Sequence, residues 1–279
     1  MDYSTGLDAP LPLLRTVMAD GRRCGYRQTG SGHGAPVLFL HGLGSCSAGW
    51  RAVLAGLPPG RRLIAWDAPG FAGSDPLSGG RSSGHVAAVL ALIDAIGVDQ
   101  VHLVGSSWGA SLAIAVAAAT GDRVRSLTLL APNTCFGALP ESDRAAVRAQ
   151  LLDPGFVTAA DKDSFLSLLI ADGSHPVVAE RAFALRDALS LEGFTQAVEM
   201  MLATDTLTDA RALRIPTTIM VGSNDRIAPR NDHALPIAQA LSGAELIDVA
   251  GCGHLAKLER PEDVIDAVTH RVALADGTW

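Results

Sequence analysis

The chain has 279 residues, 48% hydrophobic and 18% charged, with a net charge of −7, which suits one large globular domain, or one domain with an insertion, and excludes a disordered chain. The acidic balance disfavours nucleic acid and anionic membrane surfaces as partners, and four scattered cysteines (Cys24, Cys46, Cys135, Cys252) without C-x-x-C spacing suggest neither a zinc site nor a disulfide framework. An N-terminus without a signal pattern, and the lack of any apolar run of membrane-spanning length, lead us to expect a cytoplasmic protein with no membrane partner.

Residues 13–18 and 22–28 read as short strands joined by the hairpin dipeptide Asp20-Gly21. A Gly/Ser-rich loop at 29–35 leads to the continuous apolar run 36–40, typical of a buried parallel strand. His41-Gly42-Leu43-Gly44 follows at once. Helix 47–57, strand 63–66, loop 67–75, helix 83–97, strand 101–104, helix 108–119 and strand 124–130 then alternate. Between Asn133 and about Leu213 the alternation gives way to amphipathic helical segments at 141–152, 161–171, 176–190 and 192–203. Turns at Asp153-Pro154-Gly155, Asp172-Gly173 and Glu192-Gly193 separate them. Alternation resumes with strand 217–221, helix 232–242, strand 245–249 and helix 261–275, which Pro261 opens at a favoured position.

This order predicts an α/β fold: a mostly parallel eight-stranded sheet with helices on both faces. Residues 1–133 and 213–279 form the core, and an all-helical insertion at 134–212 covers the strand ends as a cap, or lid. Ligand sites in such sheets lie at the carboxyl ends of strands, where His41, Asp67 and Ser107 fall.

Two stretches match Gly-x-Ser-x-Gly. In Gly105-Ser106-Ser107-Trp108-Gly109 an apolar strand runs straight into an Ala/Ile/Val helix, which demands a tight, strained turn with Ser107 at its apex and its hydroxyl exposed. The glycines let strand and helix pass closely, and the helix N-terminus favours developing negative charge. Gly80-Arg81-Ser82-Ser83-Gly84 follows a turn-rich loop instead of a strand; there Ser82 or Ser83 reads as a helix N-cap. Asp225, in Gly222-Ser223-Asn224-Asp225, and His254, in Gly251-Cys252-Gly253-His254, each follow a late strand. The order Ser107, Asp225, His254 is that of a nucleophile-elbow hydrolase. His254 would take the Ser107 proton and Asp225 would fix its tautomer. His33, His175, His233 and His270 read as solvated.

Taken in order, His41-Gly42-Leu43-Gly44, the loop from Asp67 to Asp75, Gly105–Gly109, Gly222–Pro229 and Gly253-His254 resemble the α/β-hydrolase fold superfamily, in its capped esterase, lactonase and C–C hydrolase branch. The resemblance covers most of the chain. It implies an oxyanion hole from the backbone N–H groups of Leu43 and Trp108, with His41 supporting the loop. Gly42, Trp108 and Phe136 are the expected substrate contacts, and part of the aromatic and methionine side chains of the cap should line an apolar acyl pocket. Two features depart from C–C hydrolases: Ser106 stands where those enzymes usually carry Asn, and their cap arginine pair has no evident counterpart. No phosphate loop or metal-ligand cluster appears, so neither cofactor nor metal is expected. The reading is a serine hydrolase of a small-molecule carboxylic ester or lactone, acting through an acyl-enzyme on Ser107 as a monomer or homodimer. The alternatives are hydrolysis of a C–C bond in a ring-fission product and a slow-turnover ligand sensor that retains the triad.

Overall fold

The apolar runs form one eight-stranded sheet in a computed structural model that describes residues 4–79 and 84–279. Its strands are β1 (Leu14–Ala19), β2 (Arg22–Thr29), β3 (Val37–Leu40), β4 (Leu63–Trp66), β5 (Val101–Ser106), β6 (Val124–Leu130), β7 (Thr217–Gly222) and β8 (Glu245–Val249). They lie in the order β1-β2-β4-β3-β5-β6-β7-β8. The pairings β1–β2 and β2–β4 are antiparallel and the rest parallel. The β1–β2 turn puts Asp20 at φ 51° and Gly21 at φ 71°, the double positive φ that an Asp-Gly hairpin supplies.

Helices surround the sheet: α1 (Ser4–Leu7), α2 (Arg51–Gly56), α3 (Gly84–Ala95), α4 (Trp108–Thr120), α5 (Glu141–Leu151), α6 (Pro154–Thr158), α7 (Lys162–Leu169), α8 (Pro176–Ala184), α9 (Leu191–Ala203), α10 (Thr206–Arg211), α11 (Ala234–Ala240), α12 (Ala256–Glu259) and α13 (Pro261–Asp276). Side chains along a strand alternate faces, so β3 serves two cores at once. Leu38 and Leu40 pack with Val89 and Leu92 of α3 and Leu112 of α4. Val37 and Phe39 pack with Val53 of α2 and with Val264 and Val268 of α13. Every residue of β3, β4, β5 and β7 is buried, which is why β3 and β4 read as unbroken apolar runs.

The segment between β6 and β7 is helical throughout its regular structure, but its breaks differ from those the pattern suggests. The predicted helix 176–190 is α8 followed by a tight 3-10 turn over 185–188. Asp153-Pro154-Gly155 is not a bare turn: Asp153 accepts from the N–H groups of Gly155 and Phe156 and caps α6, with Pro154 in its first turn. Asp205 likewise caps α10. Helix 47–57 opens as a 3-10 turn before α2. Of the second Gly-x-Ser-x-Gly match, all but Gly84 lies outside the described residues. Among the described residues no helix is long and apolar enough to cross a membrane.

Candidate active site

β5 ends at Ser106 and α4 begins at Trp108, so Ser107 alone makes the turn between them, at φ 56° and ψ −121°. Such a backbone in a non-glycine residue costs on the order of 1–3 kcal/mol and persists only where its surroundings enforce it. Two interactions do so: Ser107 N–H donates to Leu130 O at 2.8 Å, and Ala110 N–H donates to Ser107 O at 2.9 Å. Both glycines of the motif are steric necessities. A Cβ on Gly105 would stand 2.4 Å from Gly109 O, and one on Gly109 would stand 2.4 Å from the carbonyl oxygens of Leu40 and His41.

The loop after β3 closes over this turn from the neighbouring strand. At Gly42 an added Cβ would lie 3.2 Å from Ser107 Cβ. His41 holds the loop from beneath: its Nε2 accepts from Ala68 N–H at 3.0 Å, which leaves the proton on Nδ1 to donate to Gly42 O at 2.9 Å. Burial pulls its pKa down to about 4, so the ring is a neutral strut, the supporting role expected of it. Trp108, first residue of α4, has one of the backbone N–H groups that a helix leaves without an internal acceptor. Its indole is fully buried, packs near Phe71 and donates to Met200 Sδ of α9 at 2.9 Å.

Asp225 and His254 meet because the β7 and β8 ends are packed to backbone contact. A Cβ on Gly222 would fall 2.1 Å from Gly253 O. His254 Nδ1 bonds both carboxylate oxygens of Asp225, at 3.0 and 2.9 Å. An ionised carboxylate only accepts, so Nδ1 carries the proton and Nε2 is the free ring nitrogen. Asp225 Oδ1 also accepts from the N–H groups of Ile227 and Ala228, at 2.9 and 2.8 Å. Burial by itself would raise the Asp225 pKa, but the hydrogen bond and charge of His254, with those two N–H groups, hold it below the usual carboxylate value.

A cavity of about 410 Å³ gathers the expected residues: Gly42, Leu43, Ser107, Trp108, Phe136 and His254 all line it. From the helical segment come Phe156, Phe165, Phe194 and Met201. Asn133, at the end of β6, is also on the wall; its Oδ1 accepts from Cys135 N–H, so it is a neutral turn former. His233 departs from expectation: it is half-buried, and its Nδ1 lies 3.0 Å from Thr134 Oγ1. Among the described residues no group of His, Cys, Asp or Glu is placed to hold a metal ion.

Three cations line the wall among the described residues: Arg226 is paired with Asp172, and the other two escaped the sequence reading. Arg186, in the turn after α8, donates to the carbonyls of Phe156 (3.2 Å) and Val157 and lies 4.3 Å above the Phe165 ring. Lys257, in α12 three residues beyond His254, is buried, with Nζ donating to Ser106 Oγ at 3.0 Å. Neither takes part in any ion pair seen among the described residues. The only available signal for Lys257 was a lysine set among the apolar residues Leu255, Ala256 and Leu258, close in sequence to the histidine.

Residues 35–261 match the family model described as alpha/beta hydrolase fold. A 2-hydroxy-6-oxononadienedioate/2-hydroxy-6-oxononatrienedioate hydrolase of Pseudomonas putida is 30% identical over 265 residues, covering 88% of this chain and 91% of its own. Its namesake from Dechloromonas aromatica is 29% identical over 265 residues, with 88% and 90% covered. Among solved structures, the enol-lactonase of Burkholderia xenovorans superposes with a TM-score of 0.82 at 22% identity, over 93% of this chain and 100% of its own.

Proposed function

The chain belongs to the α/β-hydrolase fold family, and from that membership we propose a serine hydrolase that adds Ser107 to a substrate carbonyl and breaks a carbon–carbon bond beside a ketone. The observation that carries the serine chemistry is the strained Ser107 sharing one cavity wall with His254, whose other nitrogen is bound to Asp225. The choice of bond draws on the relatives, which are named for 2-hydroxy-6-oxo acids and match over about nine-tenths of both lengths. The ester or lactone reading, first in the sequence, therefore takes second place.

In this mechanism the Ser107 proton passes to His254 Nε2 as Oγ bonds to the ketone carbon. The N–H groups of Leu43 and Trp108 hold the resulting oxyanion. The 2-hydroxy dienoate reacts as its 2-oxo tautomer, in which the hydroxyl proton has moved to C5; collapse breaks the C5–C6 bond, and its electron pair enters the conjugated 2-oxo-acid fragment, which takes the proton from His254. Water then adds to the acyl-serine, His254 accepts its proton and returns it to Ser107 Oγ, and the acid leaves. Asp225 stabilises the imidazolium in both halves. The helical segment serves as a cap: its aromatic side chains exclude water, and Arg186 gives the wall a positive charge suited to acidic substrates.

Ester hydrolysis remains the second reading because Ser106 stands where the resemblance puts Asn in C–C hydrolases. The same triad would then expel an alkoxide. Incubation with 2-hydroxy-6-oxononadienedioate, followed by loss of its conjugated absorbance, tests the first reading against a panel of esters and lactones. Turnover of esters alone would establish the second. A slow-turnover sensor would bind such a ligand and consume esters only slowly.

A further inference from the structure

We propose that Lys257, together with the Ser106 hydroxyl, is the seat for a carboxylate of the substrate and so a specificity-determining residue of the cavity. The proposal rests on the serine-hydrolase reading above and adds to it the side chains that recognise charge.

Lys257 is 1% exposed, yet no carboxylate pairs with it among the described residues. Its ammonium stands 5.4 Å from the Trp50 ring centre and donates one hydrogen bond, to Ser106 Oγ at 3.0 Å. Glu259, two residues on, is spent elsewhere: its oxygens accept from the backbone N–H groups of Ala171, Gly253 and Leu255 and from Ser174 Oγ. An ammonium has three hydrogens to donate, so Lys257 has capacity left over. Burying such a group without an anion is costly, and proteins ordinarily pair it.

The surroundings repeat the same imbalance of donors over acceptors. Ser106 Oγ accepts from Lys257, which leaves its own hydrogen to donate. Ser45 lines the same cavity, and its buried Oγ has no hydrogen-bond partner among the described residues. Gly49 makes room for both groups: an added Cβ would stand 2.8 Å from Ser45 Oγ and 3.3 Å from Lys257 Cε. Donors with one positive charge thus converge on one wall. A carboxylate supplies both the charge and two acceptor oxygens; a neutral carbonyl would leave the charge unpaired. Ser106 and Ser107 are consecutive, with Cα atoms about 3.8 Å apart. The carboxylate is therefore seated within a few bonds of the reacting carbonyl. Arg186 is less suited to that seat, since its guanidinium already serves two carbonyls and the Phe165 ring.

The test compares mono-4-nitrophenyl succinate with 4-nitrophenyl pentanoate, esters of similar length that differ in one carboxylate. Wild type should prefer the succinate. In Lys257→Met the succinate-to-pentanoate ratio of kcat/KM should fall roughly 10- to 100-fold, the range for a hydrogen bond to a charged group. The change should appear in the KM for succinate, and Lys257→Arg should recover part of it. A ratio equal in wild type and Lys257→Met overturns the proposal. So does loss of preference in Arg186→Met with none in Lys257→Met. Should Lys257→Met not fold, free succinate must still slow fluorophosphonate labelling of wild-type Ser107 more than pentanamide does, and equal protection overturns the proposal. A wild type that is neither labelled nor active on either ester removes the serine-hydrolase reading itself.

Discussion

Glu259 accepts hydrogen bonds from the backbone N–H groups on either side of His254, from Gly253 at 3.1 Å and Leu255 at 3.2 Å. It also takes Ala171 N–H at 2.9 Å and Ser174 Oγ at 3.0 Å from the helical segment. The carboxylate fixes the loop that carries the imidazole without touching the ring, and binds that loop to the segment above it.

Glu259→Gln should consequently damage both stability and activity. The amide nitrogen would face backbone donors, leaving at least one buried N–H without an acceptor, at a cost of about 1–3 kcal/mol. We expect a Tm lower by several degrees and kcat/KM reduced roughly tenfold or more, through a His254 less firmly placed. Thermal melts and ester kinetics on the same preparation check this; unchanged values in both would show the network to be dispensable.

Ser107→Ala should abolish covalent labelling by a fluorophosphonate and remove turnover, while Ser82→Ala leaves both. Ser107 stands at a strand-to-helix turn with positive φ, whereas the sequence before Ser82 is a turn-rich loop without a strand pattern. Mass spectrometry of the labelled proteins distinguishes them, and a label retained by Ser107→Ala places the nucleophile elsewhere.

Asp225→Asn should lower kcat by roughly 10²–10⁴. The N–H groups of Ile227 and Ala228 require an oxygen at the position of Oδ1. The amide nitrogen must then turn to His254 and donate, which strips the proton from Nδ1 and puts it on Nε2, where the base is needed. A kcat within about threefold of wild type would locate the acid at another residue.

Lys257→Met should make the protein more stable at pH 7. Burial pushes the Lys257 pKa down to about 8, below the value near 10.4 of an unfolded lysine. The folded state thus releases this proton more readily than the unfolded chain. The penalty is present in full below about pH 8 and disappears as the pH rises toward the unfolded value. Denaturant titrations should show wild type gaining on Lys257→Met between pH 8 and 10, with a difference at pH 7 on the order of 1–3 kcal/mol. Equal stability at pH 7 would mean that the site compensates the charge.

The sheet was legible because its central strands are buried on both faces and its turns carry Gly, Pro and Asp. Ser107, Asp225 and His254 were legible because each follows a strand. Local pattern said less about the helical segment. Asp153-Pro154-Gly155 suits a turn and a capped helix equally, and only the packing of Phe156 and Val157 against Phe194 and Val198 selects the helix. Arg186 and Lys257 were not legible, because a charged residue on a helix is ordinarily solvated, and nothing local reports that two distant loops close over it. His233 was read as solvated for the same reason, though Thr134, distant in sequence, covers it.

The helical segment is closed on itself at its two ends and tied to the core along its middle and second half. Phe136 and Gly137 bond to the carbonyls of Met201 and Thr204. Leu169 O receives His254 N–H, Ala188 O receives Ala72 N–H, and Ser190 N–H reaches Gly70 O. Gly70 and Gly193 approach so closely that a Cβ on Gly70 would stand 2.4 Å from Gly193 Cα. Between these moorings run α5, α6 and α7, fastened by the Arg148–Glu199 pair at 2.7 Å and by Arg186 on the carbonyls of Phe156 and Val157. We expect a larger ligand to be accommodated by movement of these three helices between their fixed ends. The limit on substrate size would then lie with the arginines that latch these helices, Arg148, Arg186 and, at Ser167 O, Arg226, and not with the serine that reacts.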